Sequence, residues 1–208
     1  MTKAHQVTPK TAFDIEKVRA DFPALALQVY GKPLVYLDNA ASAQKPRQVI
    51  ERMKTAYETE YANVHRGLHY LANAATEAFE GARDSVRRFL NAPSSDQIIF
   101  TRSATEAINL VAASYGLDHI GEGDEIILSV MEHHSNIVPW HFHRERKGAV
   151  IKWVPVDEQG AFDLEAYKKL LGPRTKIVAV THMSNVLGTI TPTREIIKLA
   201  FYTAKPIA

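Results

Sequence analysis

With 208 residues, the chain is long enough for one large or two small domains with a buried core. Its 25 lysines and arginines nearly balance its 23 aspartates and glutamates, so the net charge of +2 gives no indication of nucleic-acid or membrane binding. The absence of cysteine excludes disulfides, thiolate metal sites and a cysteine nucleophile within these residues.

The chain begins without the apolar segment of a signal peptide, and no later window holds the ~18 apolar residues that suggest a membrane span. We therefore expect a cytoplasmic protein. A short strand is predicted at 34–37 (LVYL), followed by helices near 46–61 and 74–90. Residues 1–95 are expected to form an N-terminal arm with helices, laid against the domain that follows.

From residue 96 onward, strand-like and helical patterns alternate. Strands are predicted at 97–100, 125–129, 149–154 and 176–182. A helix is predicted after each of them: the first ends at about residue 116, the second ends at about 147, the third covers 163–171 and the fourth begins after Pro192. This alternation predicts an α/β fold, with a mostly parallel sheet covered by helices on both faces. Open sheets of this kind bind ligands beyond the carboxyl ends of their strands.

Polar residues follow three of the predicted strands: Ser103-Ala104-Thr105, the stretch 132–136 (EHHSN) and Ser184-Asn185. The first group opens a helix, where free N–H groups and the helix dipole favour an anion such as phosphate. An imidazole in the second can stack on an aromatic ring, and an amide in the third can donate to a phenolic oxygen. Phosphate, ring and phenol together describe pyridoxal phosphate.

Each of these residues also has an ordinary structural interpretation. Ser103 with Glu106 fits a capping box, in which a hydroxyl and a carboxylate satisfy the first free N–H groups of a helix. His133 alone fits a solvated loop histidine, and Asn185 fits a turn former before Gly188. Only their joint placement at one sheet edge favours the functional interpretation.

Three histidines, His134, His141 and His143, suggest a metal cluster at first sight. No accompanying carboxylate or cysteine completes the three or four ligands that a zinc site generally needs. We therefore predict no metal site, and interpret this stretch as a helix with polar and partly exposed imidazoles.

Five segments resemble, in order, the cysteine desulfurases of the sulfur-mobilising subgroup related to selenocysteine lyases. They are VYLDNAASAQKP (35–46), NVHRGLHYLANAATEAFEGAR (63–83), FTRSATEAINLVA (100–112), MEHHSNIVPW (131–140) and THMSNVLGTITP (181–192). These enzymes belong to the class V aminotransferase family of fold-type I pyridoxal-phosphate enzymes. The resemblance runs from about residue 13 to Ala200.

The resemblance implies roles for individual residues. Ala104 and Thr105 are expected to contact the cofactor phosphate, with the Thr105 hydroxyl adding to the backbone donors. His133 resembles the histidine that stacks on the pyridine ring and assists proton transfer. Asn185 resembles the amide near the phenolic oxygen and the substrate carboxylate.

A further segment, with His65 and Arg66, resembles the part of related enzymes that approaches the active site of the partner subunit, which implies a homodimer. The family activity removes sulfur from L-cysteine, leaves L-alanine and passes the sulfur to an acceptor protein for iron-sulfur cluster assembly. A selenocysteine lyase, another class V enzyme or a non-catalytic partner of a full-length paralogue remain alternatives.

The resemblance ends before the second half of the family pattern, so residues 96–200 are expected to form a partial cofactor-binding domain, followed by a divergent tail at 201–208 (FYTAKPIA). The family continues with an aspartate for the pyridinium nitrogen, a lysine that bonds to the cofactor and a small domain bearing the sulfur-carrying cysteine. Lys198 and Lys205 do not stand where that lysine belongs. The expectation is an inactive, truncated fragment.

Overall fold

The computed structural model describes residues 13–203, and these divide into two compact units between Ile99 and Phe100. The elements of the first unit are α1 (Ile15–Ala20), a 3-10 turn (Pro23–Ala26), β1 (Gln28–Val29), β2 (Lys32–Pro33), α2 (Arg47–Thr55), a π-helical turn (Ala56–Glu60), α3 (Tyr70–Leu90) and a second 3-10 turn (Ser95–Gln97). The domain boundaries expected from the sequence stay a prediction.

The strand expected at 34–37 is not formed. The antiparallel pair of β1 and β2 ends just before it, and only the Leu34 N–H extends the pairing, to the Leu27 carbonyl at 2.9 Å. The side chains of Val35 and Leu37 are 77% and 89% exposed. An apolar run becomes a strand only where another strand supplies hydrogen bonds, and these residues are paired with none in the described part of the chain.

Helix α3 begins four residues earlier than predicted because the His69 imidazole caps it, accepting the Ala72 N–H at 3.4 Å. Asn91, in the left-handed conformation, ends it. The strand predicted at 97–100 is absent: residues 95–97 form the 3-10 turn, and the Ile98 carbonyl accepts from the Arg83 guanidinium instead of from a strand neighbour.

The second unit holds the predicted alternation of strands and helices. Its elements are α4 (Ala104–Val111), a π-helical turn (Ala112–Gly116), α5 (Leu117–His119), β3 (Glu125–Ser129), a 3-10 turn (His134–Asn136), α6 (Val138–Lys147), β4 (Val150–Val154), α7 (Leu164–Leu170), β5 (Thr175–Ala179) and α8 (Thr193–Thr203). Among residues 13–203, no helix is both long and apolar enough to cross a bilayer.

A three-stranded parallel sheet in the order β4-β3-β5 forms the centre of this unit. Every residue of β3 is buried, and its side chains alternate between two apolar clusters. One cluster comprises Ala112, Ile120, Ile126, Leu128, Trp140 and Ala149. The other comprises Ile127, Met131, Val154, Phe162, Tyr167 and Ile196. Helices therefore cover both faces of the sheet, as the sequence pattern predicted.

A buried ion pair lies where the strands begin. Glu125, the first residue of β3, is 5% exposed, and its carboxylate contacts the Lys152 ammonium at 2.7 Å. The Arg174 guanidinium lies 3.6 Å from the same carboxylate, and the Thr175 hydroxyl donates to it at 3.4 Å. Lys152 also donates to the Leu170 carbonyl. The charge of Glu125 is thus compensated from β4 and from the start of β5.

Helix α6 ends at a glycine that the backbone requires. Gly148 has a φ of +73°, and a β-carbon there would lie 3.1 Å from the Glu122 side chain. We expect Gly148→Ala to lower the free energy of unfolding by about 1 to 2 kcal/mol, since left-handed backbone is unfavourable for alanine. Gly148→Asn is the control, because asparagine adopts this conformation more easily. Urea unfolding measures both, and equal losses would contradict the explanation.

Candidate functional site

Helix α4, which packs against the 3-10 turn that follows β3, begins with a modified capping box. The Ser103 hydroxyl accepts the Glu106 N–H at 3.2 Å. The Glu106 carboxylate accepts the N–H of Arg102 at 2.6 Å and not that of Ser103, and the Arg102 guanidinium donates to it at 3.1 Å. The side-chain and then the backbone hydrogen bonds from Arg102 hold the pKa of Glu106 below its ordinary value. The capping interpretation of Ser103 is therefore confirmed.

Capping leaves three donors of this helix end unused. Within residues 13–203, no hydrogen bond uses the N–H of Ala104, the N–H of Thr105 or the Thr105 hydroxyl. Both residues are exposed. Two free N–H groups and a hydroxyl at a helix N-terminus fit the oxygens of a phosphate, because the helix dipole adds to the hydrogen bonds.

His133 lies in the turn that follows β3, and its imidazole is held in one orientation. Its Nδ1 accepts the Ser135 N–H at 3.2 Å and lies 2.8 Å from the Ser135 hydroxyl. One ring face lies against His134, with centroids 4.0 Å apart. The side chain is exposed, and α4 packs against the 3-10 turn that His133 caps. The structure thus places His133 beside the helix that carries Ala104 and Thr105.

Asn185 lies in the loop after β5. Ser184, 3% exposed, accepts the N–H groups of Val186 and Leu187 through its hydroxyl and thereby shapes the turn. Gly188 continues it with a φ of +70°. The side chain of Asn185 is exposed, and no hydrogen bond in the described part of the chain joins it to His133 or Thr105. Its proposed contact with the cofactor stays a prediction.

His65 and Arg66 belong to the first unit and differ in their contacts. His65 adopts a left-handed φ of 61°, its N–H donates to the Thr76 hydroxyl at 3.0 Å, and its imidazole lies 2.9 Å from the Glu80 carboxylate. Arg66 is exposed and has no ion pair among residues 13–203. Their role toward a partner subunit stays a prediction.

The three histidines considered for a metal lie in separate environments. The His134 ring is tilted by 32° against that of His133, and His141 is partly exposed, 6.4 Å from the Trp153 ring. The expectation of exposed imidazoles is wrong for His143, which is 7% exposed. Its Nε2 lies 2.9 Å from the Ala112 carbonyl in the π-helical turn. Within residues 13–203, no three metal-ligating side chains of the His, Cys, Asp or Glu type are grouped.

The two lysines considered as substitutes for the cofactor-bonding lysine are distinguished by position. Lys198 is exposed within α8, where the sequence pattern predicted a helix. Lys205 lies outside the described residues.

Two residues to which the sequence interpretation assigned no role also belong to this edge. Glu132 is 9% exposed and Asn136 is partly buried, and they are joined by a hydrogen bond of 2.8 Å. The sequence feature that could have indicated them is a carboxylate and an amide within a polar run directly after an apolar strand. That feature does not distinguish solvated from buried groups.

A parallel sheet covered by helices on both faces fits the fold-type I pyridoxal-phosphate enzymes. The family model "Aminotransferase class-V" matches residues 35–203, and the chain belongs to this family.

The curated relatives of the chain are named as cysteine desulfurases. It is 55% identical over 183 residues to a probable cysteine desulfurase of Synechocystis sp., covering 88% of this chain and 44% of that protein. It is 52% identical over 206 residues to a cysteine desulfurase of Synechococcus elongatus, covering 99% of this chain and 33% of that protein. The chain thus spans less than half the length of these relatives.

Solved structures give the same assignment of the fold. The apo structure of the cysteine desulfurase from Thermococcus onnurineus superposes with a TM-score of 0.81 at 35% identity, over 90% of this chain and 45% of that one. The cysteine desulfurase CsdA (S-sulfonic acid) from Escherichia coli superposes with a TM-score of 0.77 at 40% identity, over 92% of this chain and 47% of that one.

Proposed function

We propose that this chain supplies the phosphate-binding and ring-stacking part of a pyridoxal-phosphate-dependent cysteine desulfurase. The substrate is L-cysteine, the product is L-alanine, and the sulfur passes to an acceptor protein for iron-sulfur cluster assembly. The observation that carries the proposal is the set of donors on Ala104 and Thr105 that the described part of the chain leaves without a hydrogen bond, on a helix that packs against the His133 turn. The relatives named as cysteine desulfurases support the choice of reaction.

Pyridoxal phosphate, when bound, supplies an electron-withdrawing ring that stabilises negative charge on the substrate. Ala104 and Thr105 hold its phosphate through two N–H groups and one hydroxyl. Asn185 donates its amide to the phenolic oxygen, and His133 covers the ring.

The environment of His133 decides where its proton lies. The Ser135 N–H donates to Nδ1, so Nδ1 is an acceptor and the neutral imidazole carries its proton on Nε2. His133 therefore presents an Nε2–H donor and a fixed ring plane. This arrangement suits ring stacking and donation of a hydrogen bond from Nε2.

Thr105→Ala tests the phosphate contact. Removing a hydroxyl that bonds a charged group costs ~1.5 to 3 kcal/mol, so we expect pyridoxal phosphate to bind about tenfold more weakly or worse. Binding of pyridoxal, which lacks the phosphate, should be unchanged. Fluorescence or calorimetric titration with both compounds measures the difference.

Two control variants separate binding from helix capping. Thr105→Ser keeps the hydroxyl and should keep the affinity. Ser103→Ala removes the cap and should lower the free energy of unfolding by about 1 kcal/mol without favouring pyridoxal over its phosphate. Equal binding of the two compounds by the unaltered chain, or binding of neither, would contradict the proposed function.

The protein is further proposed to be a cytoplasmic homodimer, with His65 and Arg66 contacting the partner subunit. The exposed guanidinium of Arg66, which has no ion pair among residues 13–203, supports this, since it can meet an anionic group of a second chain. Sedimentation velocity over a wide concentration range should show a dimer. A compact monomer at all concentrations would contradict the proposal.

A further inference from the structure

A buried carboxylate links the two loops that carry His133 and Asn185. The Glu132 Oε1 accepts the Ser129 hydroxyl and, at 2.9 Å, the Thr181 N–H. Its Oε2 accepts the Asn136 amide at 2.8 Å. These three donors come from the end of β3, the loop after β5 and the 3-10 turn before α6. One side chain thus joins three segments.

Asn136 extends this connection to the sheet and the core. Its amide also donates to the Ala179 carbonyl at the end of β5, at 3.1 Å. Its carbonyl oxygen accepts the Trp140 indole N–H at 3.1 Å, and Trp140 is 2% exposed. Each of the four side-chain polar atoms of Glu132 and Asn136 therefore has a defined partner, and these partners determine the amide orientation of Asn136.

Hydrogen bonds within the loop after β5 involve Thr181, the residue whose N–H donates to Glu132. The Thr181 carbonyl accepts the hydroxyl of Thr191 at 2.7 Å, and the Thr181 hydroxyl donates to the Met183 carbonyl at 2.8 Å. Thr191 itself is 2% exposed. Displacing Thr181 would consequently displace the base of the loop that carries Asn185.

We infer that Glu132 is a positioning residue, whose carboxylate fixes the turn bearing His133 and the loop bearing Asn185 relative to each other. That these loops hold the pyridine ring rests on the proposed function. A buried carboxylate with three hydrogen bonds is well suited to this task, because leaving any of its donors unpaired in the interior is unfavourable.

Glu132→Gln tests the inference with almost no change in volume. The glutamine side chain has one acceptor oxygen, whereas the glutamate uses two. Ser129 and Thr181 donate to Oε1 of Glu132, and Asn136 donates to Oε2. In either orientation the new NH2 group faces a donor. The variant therefore disrupts the connection between the loops whichever way the amide turns.

Glu125→Gln is the matched control. Glu125 is similarly buried, but it begins β3, whereas Glu132 lies in the turn that follows the end of this strand. Both variants should lower the unfolding midpoint. Only Glu132→Gln should accelerate hydrogen exchange of the Thr181 amide, by about tenfold or more, and shift the NMR signals of the His133 ring. If it fails to fold, Ser129→Ala, which removes a single donor, should give the same changes to a smaller extent.

The cofactor measurement is made on the same proteins. At a temperature well below both midpoints, Glu132→Gln should bind pyridoxal phosphate about tenfold more weakly, and Glu125→Gln should bind it as the unaltered chain does. Unchanged Thr181 exchange and His133 signals, or equal changes in the two variants, would overturn the inference. If Glu132→Gln alters the His133 signals but not the affinity for pyridoxal phosphate, the connection of Glu132 to cofactor binding would be overturned. If the unaltered chain binds no pyridoxal phosphate, the proposed function fails, and the NMR comparison still decides the role of Glu132.

Discussion

Replacing Lys152 with methionine should lower the free energy of unfolding of the second unit by about 3 to 5 kcal/mol, because it leaves the buried carboxylate of Glu125 without its nearest cation. Methionine fills most of the space of the lysine stem, so lost packing contributes little. Arg174 lies 3.6 Å away and its side chain is 67% exposed, so its interaction with Glu125 is screened by water. Urea unfolding followed by circular dichroism measures the loss.

An exposed ion pair provides the control for this variant. Lys168 contacts the Glu165 carboxylate at 2.7 Å on the surface of α7, where the carboxylate is 73% exposed. Lys168→Met should change the stability by less than about 1 kcal/mol. Adding Glu125→Gln to Lys152→Met should recover part of the loss, since it removes the uncompensated charge. A loss at Lys152 no larger than that at Lys168 would show that the buried pair contributes little.

Tyr167→Ala should have a comparable effect, about 3 to 5 kcal/mol, because it removes a completely buried ring from the cluster between the sheet, α7 and α8. The Tyr167 hydroxyl donates to the Ile196 carbonyl at 3.1 Å. Tyr167→Phe keeps the ring and removes only this additional hydrogen bond to a helical carbonyl, for an expected loss of about 0.5 to 1.5 kcal/mol. Similar losses in the two variants would contradict a dominant contribution of the ring.

The same tyrosine predicts how stability depends on pH. Burial raises the pKa of Tyr167 to about 12 from an ordinary value of 10.0. The folded state therefore retains the proton longer than the unfolded state, and the stabilisation is fully present below pH 10 and is lost as the pH rises toward 12. Tyr167→Phe should lack this alkaline loss. Urea midpoints at pH 8 and above measure it in both proteins, with ~0.1 M salt to screen the other charges.

The fold of the second unit could largely be predicted because its signals are local. Strand β3 has the bounds that the run at 125–129 predicts, since five consecutive residues with an apolar centre suit a strand buried on both faces. The helix start at Ser103 could be predicted equally well, because a cap depends on residues only three positions apart. The proposed cofactor contacts of Thr105, His133 and Asn185 depend on the family resemblance and stay predictions.

The strands expected at 34–37 and 97–100 failed for a different reason. A strand needs a neighbour to accept and donate its hydrogen bonds, and a residue pattern carries no information on whether that neighbour is present. The Ile98 carbonyl accepts instead from Arg83. Both segments are apolar, as a strand requires, but whether a strand forms depends on hydrogen bonds to residues that are distant in the sequence.

By itself, the sequence determined the family, the parallel α/β class and the polar residues at the carboxyl ends of the strands. Only the tertiary structure decided which of these polar residues face water and which are buried. His133 is exposed, whereas its neighbour Glu132 is buried and bonded to Thr181, 49 positions away. The burial of His143 against the Ala112 carbonyl was decided in the same way. Such burial depends on contacts that form when distant segments pack together, and the free energy of those contacts is absent from any local pattern.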